Sequence, residues 1–401
     1  MIEVLPVELV EEILLYLTVI DVYNFFQAFD KNHHLLSEHF WRKICLGEDF
    51  LKVYNRLEWF ECFEIGMNKR LGKVDHCCEP PVGKLEHVYS SSIVVRDDAY
   101  NVYSLKGGGS FELVQSISSP TMYFKDEFVF TQTEQQTTLY RHNWESNQFD
   151  VCATIEETLD VIGISNKYFV MFQSKKKLIK IHYLSNNKYT TLPLPEDVKF
   201  IIEKILHNDN IVISAVTFND GYRIKTYDIS QSKWVLDLKC FTSTGITNDP
   251  NVWVGDNFIA CCDASYRLRG IYFGPFKVWN IQGEKVIEAE IDPSNQHYLR
   301  CFFKEKHILL TTSDNCIKVF NSSGNNKSSI QFKTTFQDIK LSTGNLLFVM
   351  INDNPLVEIY NWKTSCYLYS LSLTYICNNS LLSENLYCPY NNNKYEVFRF
   401  L

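Results

Sequence analysis

The sequence predicts a small all-α segment followed by a large all-β domain built from eight repeats, and three observations carry that reading. Through roughly the first seventy residues, large apolar side chains recur at spacings of three and four. From about residue 85 onward, aromatic and β-branched residues alternate with polar ones in short runs separated by Asn, Asp, Gly and Ser. Within that β region a three-residue phrase returns about every forty residues, the period of a stacked-sheet repeat.

The α segment begins at Pro6, which suits the start of a helix because its missing N–H has no intrahelical partner there; Glu8 complements the positive end of the helix dipole. Leu9, Ile13 and Leu17, with Val10 and Leu14 beside them, make one broad apolar stripe, and Glu8, Glu11 and Glu12 face elsewhere. Asp21 is placed to cap a second short helix bearing Val22, Phe25 and Phe26. A third apolar group, Leu35, Leu36, Phe40, Trp41 and Ile44, closes the segment. A unit of about forty residues cannot enclose that many large side chains unaided, so it needs a partner or a cover. A plain helical cap folded onto the downstream domain would satisfy the same need.

The run Leu5-Pro6-Val7-Glu8-Leu9, the later Ile13-Leu14-Leu15-Tyr16-Leu17, Asp21 and Trp41-Arg42 together resemble an F-box over about residues 3 to 46. The resemblance implies docking on a Skp-type adaptor through Leu5, Pro6, Leu9, Ile13 and Leu17, and through the adaptor to a cullin and a RING subunit. Where many F-boxes carry a Val-Cys/Ser-Lys/Arg-x-Trp stretch, this chain has Ala28-Phe29-Asp30-Lys31-Asn32-His33-His34. His33-His34 reads as a solvated turn, since no Cys or acidic partner stands at ligand spacing.

Residues 47–72 read as a helical linker, with Phe50, Val53, Leu57, Phe60, Phe63 and Met67 three to four apart. Asn68 to Lys73 is similar to the Asn-Trp-x-x-Gly-Lys lead-in of F-box/WD-repeat receptors, with Lys69 in place of Trp. A helical connection of this kind should hold the flanking domains at a fixed angle.

The repeated phrase runs Asn101-Val102-Tyr103, Thr138-Leu139-Tyr140, Lys180-Ile181-His182, Lys225-Thr226-Tyr227, Lys277-Val278-Trp279, Lys318-Val319-Phe320, Glu358-Ile359-Tyr360 and Glu396-Val397-Phe398. Its third residues step by 37, 42, 45, 52, 41, 40 and 38. Ser313 to Phe320 is similar to the Ser-x-Asp-x-x-Ile-x-Val-Trp line of WD repeats, so residues 73–401 resemble a WD-repeat β-propeller. The phrase is then the third strand of each of eight blades. Lys73 to Cys78 is the natural outer strand for blade eight, closing it from both ends of the domain. A seven-bladed propeller and a pair of β-sandwiches fit the strand spacing as alternatives.

With 45% apolar residues, 401 residues suffice for both domains. A net charge of −8 and a pI near 5.7 disfavour nucleic acid and anionic membranes, which want a basic field. Thirteen cysteines without CxxC spacing, and Met1 followed by no leader-like run, point to a reduced cytoplasmic or nuclear compartment. The adjacent pairs Cys77-Cys78 and Cys261-Cys262 alternate in facing if they lie in strands, which favours burial over bridging.

No motif for catalysis, a cofactor or a metal stands out. Gly107-Gly108-Gly109-Ser110 reads as a hairpin turn, since no helix with a Lys-Ser/Thr opening follows it. The expected work is binding. In receptors of this family that read phosphorylated targets, arginines on one propeller face pair with phosphate. By that resemblance Arg96, Lys175, Arg267, Arg269 and Arg300 are the substrate-binding candidates, set against Asp220 and Asp353 at equivalent offsets; scattered solvated charge accounts for the same residues. The aromatic insertion between Val252 and Lys277 is either a recognition loop or core packed back on the blade. The resemblance implies a non-catalytic substrate receptor of a ubiquitin ligase, binding a protein target with or without phosphorylation. The alternative is a propeller scaffold whose F-box anchors a complex without ubiquitin transfer.

Overall fold

The computed structural model describes residues 5–28, 36–50, 58–77, 80–89, 92–106, 110–119, 121–125, 128–133, 135–143, 146, 148–156, 160–165, 167–173, 177–186, 188–196, 198–207, 210–217, 221–241, 251–262, 266–268, 271–273, 275–289, 298–304, 306–312, 314–333, 335–342, 345–377, 379–383, 386–391 and 394–400. They fall into two units, one comprising Met1–Ile117 with Thr334–Leu401 and the other Ser118–Lys333.

The first unit opens with four helices: α1 (Val7–Leu15), α2 (Val19–Ala28), α3 (Glu38–Gly47) and α4 (Trp59–Leu71). Pro6 is the extended residue just before α1, and its carbonyl accepts from the amides of Leu9 and Val10. The cap of α2 is Thr18 rather than Asp21: the Thr18 hydroxyl accepts from the Asp21 amide and donates to its carboxylate, so Asp21 reciprocates from the first turn. Ser37 caps α3 by accepting from Phe40.

The linker expected to be one helix over 47–72 is interrupted: α4 starts at Trp59, after an extended Glu58, and residues 51–57 lie outside the described residues. α3 stops at Gly47, Asp49 adopts a left-handed φ of 60°, and Phe50 turns inward to full burial. Val53 and Leu57 lie outside the described residues. Nor does α4 stand apart as a stalk. Phe60, Cys62, Phe63 and Met67 join Val10, Leu14, Val22, Tyr23, Phe26, Phe40, Trp41, Cys45 and Phe50 in one core, so four helices share the apolar surface that three could not enclose. Gly66 permits the closest approach, since a Cβ there would stand 2.4 Å from the Phe50 ring.

With β1 (Val74–Cys77) as one strand of the last, the chain forms eight antiparallel blades, seven of four strands and the eighth of four with a two-residue fifth beside them. Blade one is β2 (Lys84–Val88), β3 (Ser92–Arg96), β4 (Tyr100–Leu105) and β5 (Phe111–Ile117). The second unit holds five blades. These are β6 (Thr121–Lys125), β7 (Phe128–Gln132), β8 (Thr137–Asn143) and β9 (Gln148–Ile155); β10 (Asp160–Ile164), β11 (Tyr168–Gln173), β12 (Leu178–Tyr183) and β13 (Lys188–Pro193); then β14 (Val198–His207), β15 (Asn210–Thr217), β16 (Gly221–Asp228) and β17 (Lys233–Phe241). Blade five is β18 (Asn251–Val254), β19 (Phe258–Cys262), β22 (Phe276–Asn280) and β23 (Lys285–Ala289), with β20 (Tyr266–Leu268) and β21 (Ile271–Phe273) forming a separate hairpin between its second and third strands. Blade six is β24 (Tyr298–Lys304), β25 (His307–Thr312), β26 (Cys316–Phe320) and β27 (Asn326–Gln331).

Back in the first unit, blade seven is β28 (Phe336–Leu341), β29 (Leu346–Ile351), β30 (Leu356–Asn361) and β31 (Cys366–Ser372). Blade eight is β32 (Asn379–Leu382), β33 (Leu386–Asn391), β35 (Val397–Phe400) and, outermost, β1, with the two-residue β34 (Lys394–Tyr395) beside β33. β1 pairs antiparallel with β35, Val74 against Phe400 and Cys77 against Val397. The chain is an eight-bladed β-propeller of WD-repeat-like arrangement, with the expected phrase in or abutting the third strand of every blade.

The degenerate phrase has a physical basis. Its aromatic third residue sits at a register shift in the pairing of third to fourth strand, as at Tyr227, Trp279, Phe320 and Tyr360. The next residue is Asp228, Asn280, Asn321 or Asn361, whose side-chain oxygen accepts from amides two to four residues on and so forms the following turn. A β-bulge followed by an Asx turn needs only an aromatic and an Asn or Asp, which is why the phrase survives without Trp-Asp.

Each unit is filled by blade-on-blade cores. Blades seven and eight share Phe348, Met350, Ile359, Tyr387, Phe398 and Phe400, and blades eight and one share Val397, Cys388, Leu386, Ile93 and Val95. In the second unit Cys261 lies among Val212, Ile224 and Leu238 of blade four, and Cys262 among Cys301, Ile308 and Leu310 of blade six, the alternation expected for adjacent strand residues. Cys78 lies outside the described residues, as do His33-His34 and Gly107 to Gly109. Among the described residues no helix is long and apolar enough to cross a membrane.

Candidate protein-binding surfaces

α1 is apolar on two sides, and the core takes only one. Val10 and Leu14 point inward. Leu5, Leu9, Ile13 and Leu17 remain 44%, 43%, 48% and 44% exposed, and Pro6 is exposed with them. The expected stripe therefore splits, its i and i+1 positions going to opposite sides. Val7, Leu15 and Tyr16 extend the exposed set, Tyr16 almost fully solvated, and Ile20 continues it onto α2. Sequence spacing did not single out these four; the signal was present, because a helix with more apolar positions than one face can hold must leave some outside.

Two hydrogen bonds fix the helices beneath this surface. The Glu11 carboxylate accepts from the Ser37 amide at 2.6 Å, tying α1 to the start of α3. Tyr23 of α2 donates to the Asn68 side chain of α4 at 2.7 Å. Behind them, burial pushes the Cys45 thiol far above its ordinary range, with Cys62 and Glu38 adding to the effect, so this thiol is a packing group.

The propeller candidates divide between the units. Arg96 ends β3 at the turn into β4, exposed, its guanidinium 5.2 Å from the centre of the Tyr100 ring. That position is the join of second to third strand in blade one. Arg300 is exposed on β24, the first strand of blade six. Arg267 is in β20 of the blade-five hairpin, whose other strand, β21, lies against β24. The hairpin carrying Arg267 and the strand carrying Arg300 are thus neighbours within one unit, which sequence separation conceals. Lys175, Arg269 and Asp220 lie outside the described residues. Asp353 occupies a blade-seven turn with φ of 54°. Among the described residues no group of three or more His, Cys, Asp or Glu side chains is placed to hold a metal ion.

No protein-family model matches the chain, and no curated protein matches it in sequence. Among solved structures the chain is similar to the computationally designed Ika8 protein, with TM-score 0.52 at 13% identity over 80% of this chain and 100% of that one. It is similar also to Sqt1 of Saccharomyces cerevisiae, with TM-score 0.52 at 8% identity over 80% of this chain and 96% of that one. Likeness at such identity speaks for the propeller fold alone.

Proposed function

We propose that the chain is the substrate-recognition subunit of a Skp–cullin–F-box ubiquitin ligase, with α1 to α3 as the F-box and the propeller as the target-binding domain. The observation that carries this reading is the outward pair Leu9 and Ile13 on α1, whose inner face is already packed, together with exposed Leu5 and Leu17 flanking its two ends. Covering the exposed half of four such side chains is worth about 3–6 kcal/mol, at roughly 1.5–3 kcal/mol for a full side chain. Association costs about 4–15 kcal/mol, so Val7, Leu15, Tyr16 and Ile20 have to contribute as well. Catalysis of transfer belongs to other subunits, and this chain supplies proximity.

Target capture is assigned to basic groups on the blades, each as an anion-pairing group in its own unit: Arg96 at the second-to-third-strand turn of blade one, and, in the other unit, Arg300 on the first strand of blade six with Arg267 in the blade-five hairpin. The test uses purified full-length chain with a Skp-type adaptor and a cullin–RING pair. Wild type should assemble with all three, and Leu5→Ala/Pro6→Ala/Leu9→Ala should lose the adaptor while keeping its fold. Adaptor binding without cullin would favour the scaffold alternative. No adaptor binding by the wild type would remove the F-box reading and leave the propeller standing. For the target, Arg96→Glu with Arg300→Glu should abolish capture of a phosphorylated peptide; unchanged capture ends the anion-pairing assignment.

A further inference from the structure

Lys69, near the end of α4, is 1% exposed, an unusual place for a lysine. Its ammonium lies 3.3 Å from the Ser342 hydroxyl, just after β28, and 3.4 Å from the Ser383 carbonyl, just after β32. It also stands 5.2 Å from the centre of the Phe400 ring on β35. One side chain therefore reaches the first-to-second-strand loops of blades seven and eight and the third strand of blade eight. The Lys69 carbonyl accepts from the Tyr369 hydroxyl on β31. Three residues later Gly72 caps the helix in a left-handed conformation, with the Tyr369 ring 3.0 Å from where a Cβ would be, and β1 begins at Val74. On the helical side, Lys73 donates to the Tyr23 hydroxyl, which itself bonds to Asn68.

Burying an ammonium is costly, and an apolar residue of the same length would fill the space more cheaply. What lysine adds is three donors at the tip of a long stem, able to bond two loops at once. We propose that Lys69 is a positioning residue: by bonding one loop of blade seven and one of blade eight, it fixes where α4 ends and hence where β1 lies on β35. β1 has only four residues and a single partner strand, so its pairing depends on how its leading end is held. A coupling follows. Whatever stabilises the seating of α4 stabilises the closing pair β1–β35, and the reverse holds equally. This inference stands whether or not the helices dock an adaptor.

Hydrogen exchange on the full-length chain tests it with Lys69→Met, which keeps the stem and its packing but removes the donors, and Ser342→Ala, which removes one acceptor. The amides of Val74–Cys77 and Val397–Phe400 should exchange on the order of tenfold faster in Lys69→Met and severalfold faster in Ser342→Ala, while β11 and β12 of blade three stay as in wild type. Wild-type exchange at β1 and β35 in Lys69→Met would reduce Lys69 to packing and overturn the proposal. Equal acceleration at β11 and β12 would overturn it too, by showing general destabilisation. Should Lys69→Met fail to fold, Ser342→Ala decides alone: local acceleration supports the assignment and its absence refutes it.

Discussion

Trp41→Ala is the sharpest probe of the helical core. Trp41 is 2% exposed, and its ring stands 4.8 Å from Phe26 of α2, 5.0 Å from Phe40 of α3, and 4.9 and 5.1 Å from Phe60 and Phe63 of α4. Truncating a buried Trp costs about 3–5 kcal/mol, depending on how far the site can collapse. Here collapse is obstructed because the surrounding rings already wedge one another: Phe26 meets Phe60 at 6.4 Å, and Phe60 meets Phe63 at the same distance. Each aromatic pair contributes about 0.5–1.5 kcal/mol beyond burial, so the upper end of the range applies, about 4–5 kcal/mol. Against the stability of a small folded unit, about 5–15 kcal/mol, that is roughly a third or more. In hydrogen exchange the amides of α2, α3 and α4 should speed up by roughly a thousandfold, with the blades of the Ser118–Lys333 unit unchanged. An acceleration of less than about tenfold would refute the argument that Trp41 joins the helices.

Ser37→Ala should cost about 1 kcal/mol in denaturant melts of the helical segment, by removing the acceptor for the Phe40 amide. Gly72→Ala should cost about 1–2 kcal/mol for its left-handed φ of 69°, with further loss as the Tyr369 ring is displaced, and should lower the melting temperature of the full chain. Ile13→Asp should move stability by no more than about 0.5 kcal/mol, because the side chain is half solvated, yet should remove adaptor binding in a pull-down. Burial of Asp237 opposes its charge, but hydrogen bonds from Arg223 at 2.6 Å and Lys225 at 2.9 Å prevail and hold its carboxyl below the ordinary value. A depressed carboxyl stabilises the fold above about pH 4, and that contribution fades as pH falls through the lowered pKa. Asp237→Asn should therefore lose less stability than wild type between pH 7 and pH 3 in denaturant titrations.

Local patterns, and one distant strand pairing, were legible from the chain; the packing of the helices was not. Third strands were recoverable because bulge and Asx turn write two consecutive residue types, as in Trp279-Asn280 and Phe320-Asn321. The closing strand was legible because Lys73 to Cys78 stands directly before blade one, where a strand can pair into the last blade. Spacing did not reveal how the apolar residues of α1 divide, since Leu9 and Val10 are equally apolar and only the position of the other helices decides which is buried. The extent of α4 was misjudged because an apolar residue every third or fourth position does not register the break at Asp49, where a left-handed φ ends the helical path. Asp21 and Thr18 are both good caps, and the choice between them turns on one hydrogen bond. Lys69 offered least, because charge at a helix end ordinarily means solvent, and its burial depends on Ser342 and Ser383, some 270 and 310 residues away.

The pairing of β1 with β35 joins residues more than 300 positions apart, Val74 with Phe400 and Cys77 with Val397. During synthesis the helices and β1 emerge before the blades, and β1 has to wait with its hydrogen-bonding edge open until blade eight has been made. Closing so long a loop is slow, and an open strand edge in the meantime can pair with the wrong chain. β1 is short and carries Asp75 and His76 at its centre, features that make an unpaired strand a poor template for aggregation. The β1–β35 pair therefore cannot form until blade eight has been made, and blade eight lacks its outermost strand until it does.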